Sequence, residues 1–477
     1  MYPNLKMYIG GQFVDGHGES SQSVMNPSNN EVLATLPYAS ESDLDRALES
    51  SEQAFRLWKK EPAVERSRIL RKVAELIRER AENTGRVLTL EQGKPVREAI
   101  GEVLSCAEHA EWHAEECRRI YGRVIPSRKS NVQQTALKEP IGVCVAFSPW
   151  NFPFSQAFRK VVAAIGAGCT VILKGSSDTP ASVMLMAQIF HDAGLPKGVF
   201  NVVSGDSGMI SEYLIRSPIV QKISFTGSTP VGRKLASLAG ANMKRCTMEL
   251  GGHSPVMVFE DCDIEAAAKL CAAGKFRNAG QVCISPTRFF VQDSIHDKFL
   301  ALFKEQVEAV KVGNGLDEDM NMGPLVAERR IEIMDGFVSD AVSKGAELLV
   351  GGSGIQSPGS FFAPTLLQDV PDTARIMTEE PFGPIAPTAR FASLDEVIDR
   401  ANSLPFGLAA YAFTGSARTA GVLKREIETG MLAINSLHVH SVETPFGGLK
   451  FSGYGHEGGI EGLEVFLATR YSSEIYG

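Results

Sequence analysis

A cysteine in a loop of small and polar residues is the first candidate for chemistry in this sequence. Cys283 lies within Phe276 to Arg288, close to Gly280 and just before the apolar run Phe289 to Val291. The pattern predicts a loop between a helix over Ile264 to Arg277 and a strand. A thiol on a loop is accessible to a ligand, and its thiolate is a strong nucleophile. The alternative is a small core residue, because free cysteines are usually buried and inert.

Length and composition describe a large globular chain. It has 477 residues, 44% hydrophobic and 22% charged, and its formal net charge is −8. This length allows two or three domains. The acidic balance and the absence of a long basic run argue against nucleic acid or an anionic membrane as a partner.

The apolar runs and the spacing of the cysteines indicate where in the cell the protein is expected. The N-terminus has no apolar stretch of signal-peptide length, and the longest apolar run, Val161 to Leu173, is too short to span a bilayer. The eight cysteines are scattered without a CxxC spacing. These features predict reduced thiols and a cytoplasmic protein.

Residues 141 to 259 alternate between short β-branched runs and helical patterns. The alternation predicts an α/β fold with a doubly wound parallel sheet, which binds ligands at the C-terminal ends of its strands. Those ends carry polar residues and glycines, namely Ser148 to Pro153, Lys174 to Ser177, Gly205 and Thr226 to Ser228. After residue 260 the α/β alternation continues.

Two segments are candidates for dinucleotide binding. Gly453, Gly455 and Gly458 form a GxGxxG pattern, but no clear strand precedes it and too few residues follow for a βαβ unit. Phe225 to Pro230 is the better candidate, because it closes a predicted strand and opens a helix whose amides would face a pyrophosphate. The alternative is an ordinary strand-to-helix turn.

Two further patterns have a structural and a functional interpretation. Val124 to Pro126 and Val132 to Leu137 predict a hairpin arm, which is either an oligomer interface or a plain surface hairpin. His109 and His113 are spaced four apart on a predicted helix. A metal site needs more ligands than this pair, so we expect a solvated helix face and no metal.

Seven motifs occur in an order that resembles the aldehyde dehydrogenase superfamily over nearly the whole chain. They are Pro149 to Pro153, Lys174, Phe225 to Ser228, Met248 to Gly252, Gly280 to Cys283, Glu379 to Pro384 and Pro445 to Gly448. The resemblance implies two doubly wound α/β domains. It implies a Rossmann-like cofactor domain over 1–120 and 140–249 and a catalytic domain over 250–435. An arm over 121–139 and a tail over 465–477 would assemble a homodimer or homotetramer.

The resemblance also implies nicotinamide-linked oxidation of an aldehyde. Cys283 would attack the aldehyde to give a thiohemiacetal, which loses hydride to become a thioester. Asn151 and the Cys283 backbone N–H would stabilise the oxyanion, and Glu249 would activate the hydrolytic water. Glu457 matches a proton-relay acid, with a surface glutamate as the alternative. Because attack requires thiolate, we predict that Cys283 titrates lower than the other seven cysteines.

The cofactor preference depends on Ser177. Many NAD-preferring relatives have a glutamate there that binds the ribose 2′-OH and repels a 2′-phosphate, so serine predicts that NADP is preferred and NAD also used. Lys174 would pair with the phosphate. The implied cofactor contacts are Phe147, Pro149, Trp150, Asn151, Lys174, Ser176, Ser177, Gly205, Phe225, Thr226, Gly227, Ser228, Val231, Glu249, Leu250, Gly251, Glu380 and Phe382.

The implied substrate is a small-molecule aldehyde with a distal carboxylate. Arg159 and Arg277 match the arginines that bind that carboxylate in succinate-semialdehyde dehydrogenases, with Ser441 and Phe446 as further contacts. Succinate semialdehyde is the first choice. The alternatives are 2-oxoglutarate semialdehyde, because Tyr121 to Arg123 resembles the enzymes that oxidise it, and a broader range of aldehydes. A CoA-acylating relative or a catalytically silent binding protein would be a different class, and Glu249 together with Cys283 argues against both.

Overall fold

Apolar runs and amphipathic segments form 14 α-helices and 22 strands in residues 2–476, the part of the chain that this computed structural model describes. The helices are α1 (Glu41–Trp58), α2 (Ala63–Gln92), α3 (Val96–Glu116), α4 (Pro153–Ala167), α5 (Pro180–Asp192), α6 (Ser207–Arg216), α7 (Thr229–Ala241), α8 (Ile264–Phe276), α9 (His296–Glu308), α10 (Arg329–Ser343), α11 (Arg375–Thr378), α12 (Leu394–Asn402), α13 (Ala417–Glu426) and α14 (Gly459–Glu464). Short 3₁₀ turns cover Cys117–Arg119, Arg277–Gly280 and Asp293–Ile295.

The strands are β1 (Met7–Ile9), β2 (Gln12–Val14), β3 (Ser21–Asn26), β4 (Glu31–Pro37), β5 (Arg123–Ile125), β6 (Val132–Pro140), β7 (Val143–Phe147), β8 (Thr170–Lys174), β9 (Phe200–Val203), β10 (Val220–Thr226), β11 (Arg245–Glu249), β12 (Ser254–Val258), β13 (Pro286–Gln292), β14 (Glu347–Val350), β15 (Thr365–Gln368), β16 (Ile385–Phe391), β17 (Phe406–Gly407), β18 (Ala409–Phe413), β19 (Met431–Ile434), β20 (Leu449–Lys450), β21 (Gly453–Tyr454) and β22 (Leu467–Ile475).

The first large sheet has the strand order β2-β1-β9-β8-β7-β10-β11-β21. Its five central strands are parallel, and the antiparallel β1, β2 and β21 lie at its two edges. Residues of β7 and β8 are buried throughout because helices cover both faces, as a parallel sheet requires. The predicted doubly wound α/β architecture is therefore confirmed.

The second large sheet has the order β14-β15-β16-β13-β12-β18-β19, and only β14 runs antiparallel to its neighbour. Its core is separate from that of the first sheet and rich in aromatic side chains, including Phe289, Phe290 and Tyr411. The chain thus has two sheets, each with its own core.

One strand predicted for the first sheet belongs to the second. The alternation over 141 to 259 predicts a single sheet, but Pro255 lies in β12 of the second sheet. The missing partner is β11, whose Arg245 and Glu249 ends hide its apolar centre from a pattern search. Gly251 and Gly252 then carry the chain from one sheet to the other.

The rejected GxGxxG segment has a packing role. Gly453 begins β21, which pairs antiparallel with β11 at the edge of the first sheet. A Cβ atom at Gly453 would lie 1.8 Å from the Met248 carbonyl oxygen, so only glycine permits this close approach. These glycines therefore serve strand packing and not a βαβ phosphate loop.

The predicted arm is present and has a third strand. β5 and β6 form the hairpin, and β22 of the tail pairs with β6 from Leu467 opposite Pro140 to Ile475 opposite Val132. Apolar side chains of this sheet remain exposed, among them Val124 and Tyr471. Assembly through the arm stays a prediction.

The expectation of a solvated face at His109 and His113 is wrong. Both imidazoles are buried where α3 packs against α2 and α4. Burial lowers the pKa of His113 to about 4 and that of His109 well below its usual range. Within residues 2–476, no three His, Cys, Asp or Glu side chains are grouped so that they could hold a metal ion. In the same range, every helix is too short or too polar to cross a membrane.

Candidate active site

The loop that carries Cys283 has an unusual backbone. Asn278, Ala279 and Gly280 are consecutive residues with positive φ, at 49°, 52° and 70°. A Cβ atom on Gly280 would lie 2.1 Å from the Gly383 carbonyl oxygen, so the loop requires glycine at this position. The Gln281 side chain fixes the turn by accepting from Val326 N at 2.9 Å and donating to Asn278 O at 3.2 Å. The thiol is therefore held on a rigid loop.

Cys283 forms part of the wall of two cavities. One, of about 350 Å³, contains Arg159 and Arg277, and the other, of about 340 Å³, contains Asn151 and Glu249. All eight cysteines are free thiols. The half-buried Cys283 is thus accessible from two sides, as a nucleophile between two ligands must be.

The predicted low pKa of Cys283 is wrong for this arrangement. Burial, followed by the negative charges of Glu380 and Glu249, raises the pKa of the thiol to about 12, although Arg159 and the Ile284 backbone N–H oppose the shift. A thiolate in this pocket has no cation bound to it directly, so exclusion of water dominates. The loop sequence predicts where the sulfur lies, but the pKa depends on the surrounding cavity.

Asn151 lies at the boundary between β7 and α4 and is buried. Its Nδ2 donates to the Gln281 carbonyl at 3.0 Å, and its own carbonyl accepts from Lys94 Nζ at 2.7 Å and Asn278 Nδ2 at 3.0 Å. An amide nitrogen carries two N–H donors, so one remains for a ligand in the cavity. This geometry suits the expected role in an oxyanion site.

A buried ion pair supports Asn151, and no sequence motif indicated it. Lys94 Nζ lies 2.6 Å from Glu102 Oε2, with both side chains almost fully buried. The other carboxylate oxygen of Glu102 accepts from the backbone N–H groups of Phe154 and Ser155 at the start of α4. Pairing and helix-end amides together compensate for the cost of burying these charges.

Glu249 ends β11 and is 2% exposed. Neither of its carboxylate oxygens has a hydrogen-bond partner within residues 2–476. Burial raises the pKa of Glu249 well above its usual range, the negative charge of Glu457 raises it further, and Lys160 and Arg159 oppose the shift. A carboxyl group without partners that faces a cavity can exchange a proton with a water molecule there.

Glu457 is buried, which contradicts its interpretation as a surface glutamate. One of its carboxylate oxygens pairs with Lys160 Nζ, which also donates to Thr226 Oγ1 at 2.6 Å. The other oxygen has no partner within residues 2–476. Backbone hydrogen bonds of 2.7 and 2.8 Å to Phe446 hold the residue in place. The structure therefore brings Glu249, Glu457 and Lys160 together, and Lys160 was missed from sequence.

The expected cofactor contacts lie along one groove at the C-terminal ends of the first sheet's strands. Phe147, Pro149, Trp150, Lys174, Ser176, Ser177, Gly205, Phe225, Thr226, Gly227, Ser228 and Val231 line a depression of about 670 Å³. Asn151, Glu249, Leu250, Gly251, Glu380 and Phe382 line the adjoining cavity that reaches Cys283. The two spaces share five residues, so a dinucleotide could extend from the groove to the sulfur.

The far end of this groove is polar. Lys174 Nζ donates to Ser207 Oγ at 2.7 Å and to Ser177 Oγ at 3.4 Å. Burial lowers the pKa of Lys174 to about 8, although Asp178 and Asp206 oppose that shift. Ser228 occupies the N-cap position of α7 without a capping hydrogen bond from its side chain. The first amides of α7 therefore remain available to an anionic ligand.

The opposite end of the groove lies beside Cys283. Glu380 accepts from Gly252 N at 3.2 Å, and burial raises the pKa of its carboxyl to about 7. The ring of Phe382 meets Trp150 edge-on at a centroid distance of 5.5 Å. Arg330, which sequence reasoning missed, donates to the carbonyls of Pro381 and Phe382. It thereby holds the segment that carries Glu380.

The cavity of about 350 Å³ that contains the two arginines is called the anion cavity below. Its lining includes Arg159, Arg277, Phe446, Cys283, Phe152, Gln156 and His440. The Arg159 guanidinium lies over the Phe446 ring at 5.1 Å, and that of Arg277 over the Phe152 ring at 5.1 Å. The Nε of Arg159 has no hydrogen-bond partner within residues 2–476. Three of the four expected substrate contacts therefore meet here.

Ser441 is the fourth and does not line the cavity. Its hydroxyl bonds to Glu443 and lowers the pKa of that carboxyl, while its neighbour His440 faces the cavity. Ser441 therefore lies next to the cavity-lining residue His440, but its own side chain does not line the cavity. His440 and Gln156 are additional wall residues, and neither was expected from the sequence as a substrate contact.

Comparison with known proteins decides the family. The model of the aldehyde dehydrogenase family matches residues 13–471. This chain belongs to that family. The 4-(hydroxymethyl)benzenesulfonate dehydrogenase TsaD1 of Comamonas testosteroni is 44% identical over 471 residues, which cover 99% of this chain and 98% of that protein. The succinate-semialdehyde dehydrogenase [NADP(+)] GabD of Escherichia coli is 39% identical over 463 residues, with coverage of 97% and 96%.

A solved structure agrees with the whole fold. The succinate-semialdehyde dehydrogenase of Burkholderia pseudomallei superposes with a TM-score of 0.97 at 38% identity, covering 100% of this chain and 98% of that chain. Family membership and these dehydrogenase relatives make this aldehyde dehydrogenase family member an oxidoreductase. The family acts on small aldehydes with NAD(P).

Proposed function

We propose that this enzyme oxidises an aldehyde with a distal anionic group to the corresponding acid, using NADP in preference to NAD. The observation that carries the proposal is the position of Arg159 and Arg277. Both line the cavity that meets Cys283 on the side away from the cofactor groove. Each guanidinium lies over a phenylalanine ring at 5.1 Å, and such a contact helps to hold the planar group in place while its N–H groups bind an anion.

The chemistry begins at the sulfur. Cys283, once deprotonated, forms a bond to the aldehyde carbon, and the carbonyl oxygen becomes an oxyanion that accepts from Asn151 Nδ2 and the Cys283 N–H. A nicotinamide held beside Cys283 by Glu380 and Phe382 would supply the acceptor for the hydride, and loss of that hydride would leave a thioester on Cys283. Glu249 then takes a proton from water, the water oxygen attacks the thioester carbon, and the carbon–sulfur bond breaks to release the acid.

The proposed cofactor preference depends on the polar end of the groove. Ser177 leaves room where a carboxylate would repel a 2′-phosphate, and the Lys174 ammonium lies within hydrogen-bond distance of Ser177 and Ser207. A phosphate there would gain a charge-assisted hydrogen bond from Lys174. The NADP specified in the name of the Escherichia coli relative supports the same preference.

Succinate semialdehyde is the first candidate substrate. It carries a carboxylate at the end opposite the aldehyde, and it is the substrate named for two of the relatives above. The alternative is 2-oxoglutarate semialdehyde, which has the same terminal carboxylate. The Comamonas relative is named for a sulfonate, so the feature common to these ligands is a distal anion.

An aldehyde panel tests the proposal. The purified enzyme would be assayed for NADPH and NADH formation with succinate semialdehyde, 2-oxoglutarate semialdehyde and uncharged butanal, without CoA. We expect Arg159→Ala and Arg277→Ala each to lower kcat/KM for the charged aldehydes by about tenfold to a hundredfold, the value of a charge-assisted hydrogen bond. Butanal turnover should change little in Arg277→Ala, because Arg277 is not among the groups that shift the pKa of Cys283 or Glu249. Arg159 lowers both pKa values, so Arg159→Ala is judged by the ratio of semialdehyde to butanal kcat/KM. An equal loss for butanal and the semialdehydes in Arg277→Ala would contradict the anion-binding role.

Cys283→Ala is the control for the chemistry. This variant should form no acid from any aldehyde, and a fluorescence titration should show NADP affinity close to that of the parent, because the sulfur contributes little to the groove. An alanine variant that oxidised succinate semialdehyde at the parental rate would overturn the mechanism. Turnover that required CoA would instead indicate an acylating enzyme.

A further inference from the structure

An imidazole that the reaction itself does not need faces the anion cavity. His440 lines this cavity together with Arg159, Arg277 and Cys283. Its ring meets Phe446 edge-on at a centroid distance of 5.7 Å, and the guanidinium of Arg159 covers the same ring at 5.1 Å. The imidazole and this guanidinium are therefore neighbours around one aromatic side chain.

The polar edge of this imidazole has no partner in the protein. Neither ring nitrogen of His440 forms a hydrogen bond within residues 2–476, although the ring is mostly withdrawn from solvent. Burial, followed by the positive charges of Arg159 and Arg277, lowers the pKa of His440 to about 3. The ring is neutral near pH 7 and offers one N–H donor to a ligand in the cavity.

The carboxylates on the same wall are already engaged. Glu102 pairs with Lys94 and with the amides at the start of α4, and Glu98 accepts from Asn278 N at 3.0 Å. These negative charges are therefore partly compensated by protein groups. The two guanidinium groups and the His440 imidazole are nitrogen donors that line this cavity and not the one on the cofactor side, whereas Gln156 lines both and Ser155 adds a hydroxyl.

We propose that His440 is the third donor of the anion cavity and that the cavity favours a sulfonate over a carboxylate on the same carbon skeleton. This inference rests on the proposed function. A carboxylate presents two oxygens, which the two guanidinium groups can satisfy. A sulfonate has a third oxygen outside that plane, and leaving it unpaired against the protein wall is unfavourable. His440 supplies that missing donor, while Phe152 and Phe446 flank the apolar part of the ligand.

Matched aldehydes test the inference. We would measure kcat/KM for 4-formylbenzenesulfonate, 4-formylbenzoate and uncharged benzaldehyde. The parent should favour the sulfonate over the carboxylate by about tenfold, the effect of one hydrogen bond to a charged group. His440→Phe retains a ring against Phe446 but has no donor, so its sulfonate-to-carboxylate ratio should fall to about one.

His438→Phe is the matched control. The His438 ring lies 5.9 Å from that of His440, but His438 is exposed and does not line the cavity, so the parental ratio should persist. Benzaldehyde turnover reports whether His440→Phe is folded, and His440→Leu provides the same donorless test if it is not.

Two results separate the inference from the proposal beneath it. A parental ratio of one or less, or a ratio that His440→Phe leaves unchanged, would overturn the role of His440 while both anionic aldehydes still exceeded benzaldehyde. If neither anionic aldehyde were better than benzaldehyde, the proposed distal-anion function itself would fail.

Discussion

At the scale of single residues, the arrangement around Glu249 controls when this group can act as a base. The Glu249 carboxyl is buried without a hydrogen-bond partner within residues 2–476, and the nearby Glu457 charge disfavours its ionisation. Lys160 pairs with Glu457, and its positive charge also lowers the pKa of Glu249. A group with a raised pKa is protonated over more of the pH range, so base catalysis should increase as pH rises through that pKa.

Glu457→Gln should move this increase to lower pH. The substitution removes the negative charge that raises the pKa of Glu249 and frees Lys160 to stabilise the ionised carboxylate, and both effects act in the same direction. The measurement is the pH dependence of acid release from pre-formed thioester enzyme. Alkylation of Cys283 is followed in parallel. Because the Glu249 charge raises the pKa of the thiol, earlier ionisation of Glu249 should leave alkylation unchanged or move it to higher pH, opposite to the shift in acid release. An unchanged profile would show that Glu457 has no influence on the base.

Residue types and their order identified most of the groups at the site, but they did not predict the burial or the pKa of these groups. The Gly-Gln-Val-Cys motif located Cys283, whereas its raised pKa arises from burial by distant segments. The same limit applies to Glu457, whose burial depends on Phe446 and Lys160. Local sequence does not encode which groups exclude water from a side chain, so these features required the three-dimensional structure.

At the scale of elements, the ends of β8 and the start of α6 form the polar end of the cofactor groove. Lys174 is the last residue of β8, and Ser207 is the first of α6. The hydrogen bond between them places an ammonium group at the edge of the sheet. Because Ser177 follows on the same loop, a charge introduced there would lie beside the same ammonium.

Ser177→Glu should reverse the cofactor preference. The new carboxylate would repel a 2′-phosphate and pair with Lys174, so we expect kcat/KM with NADP to fall by at least about tenfold and that with NAD to be maintained or to rise. Steady-state kinetics with both cofactors measure this ratio. Ser130→Glu, at the exposed turn of the arm, is the charge-matched control. A parent enzyme at least tenfold in favour of NAD would refute the preference.

Element boundaries were predictable where amphipathic periodicity was strong. The predicted helix over Ile264 to Arg277 coincides with α8 to within one residue. The strand β11 was missed because its five residues include a charge at each end and only a short apolar centre. Its assignment comes from pairing with β10 and β21, which is non-local information.

At the scale of the whole molecule, the arm and tail form a separate three-stranded sheet of β22, β6 and β5. The sequence predicted the two extended segments of the arm, and only the resemblance to the family indicated the tail. The pairing of Leu467 with Pro140 joins segments more than 300 residues apart in the chain, a distance that no local periodicity records. Exposed Val124, Tyr471 and Ile475 provide apolar surface for a second copy.

Removal of residues 469–477 should weaken assembly. The deletion takes away most of β22 and exposes the hydrogen-bonding edge of β6, so the proposed homodimer or homotetramer should shift to smaller species. Size-exclusion chromatography with light scattering measures the mass. Retained NADP binding would show that the two large sheets remain folded. A parental mass for the truncated chain would contradict the role of the arm and tail.

The sulfur of Cys283 belongs to the walls of both cavities, whereas Glu249 lines only the one that continues into the cofactor groove. On the proposed mechanism, the aldehyde would bind in the anion cavity, and the hydrolytic water would have to reach Glu249 in the other cavity, where the nicotinamide would also bind. Thioester hydrolysis would therefore require that the dinucleotide leave space for a water molecule beside Glu249.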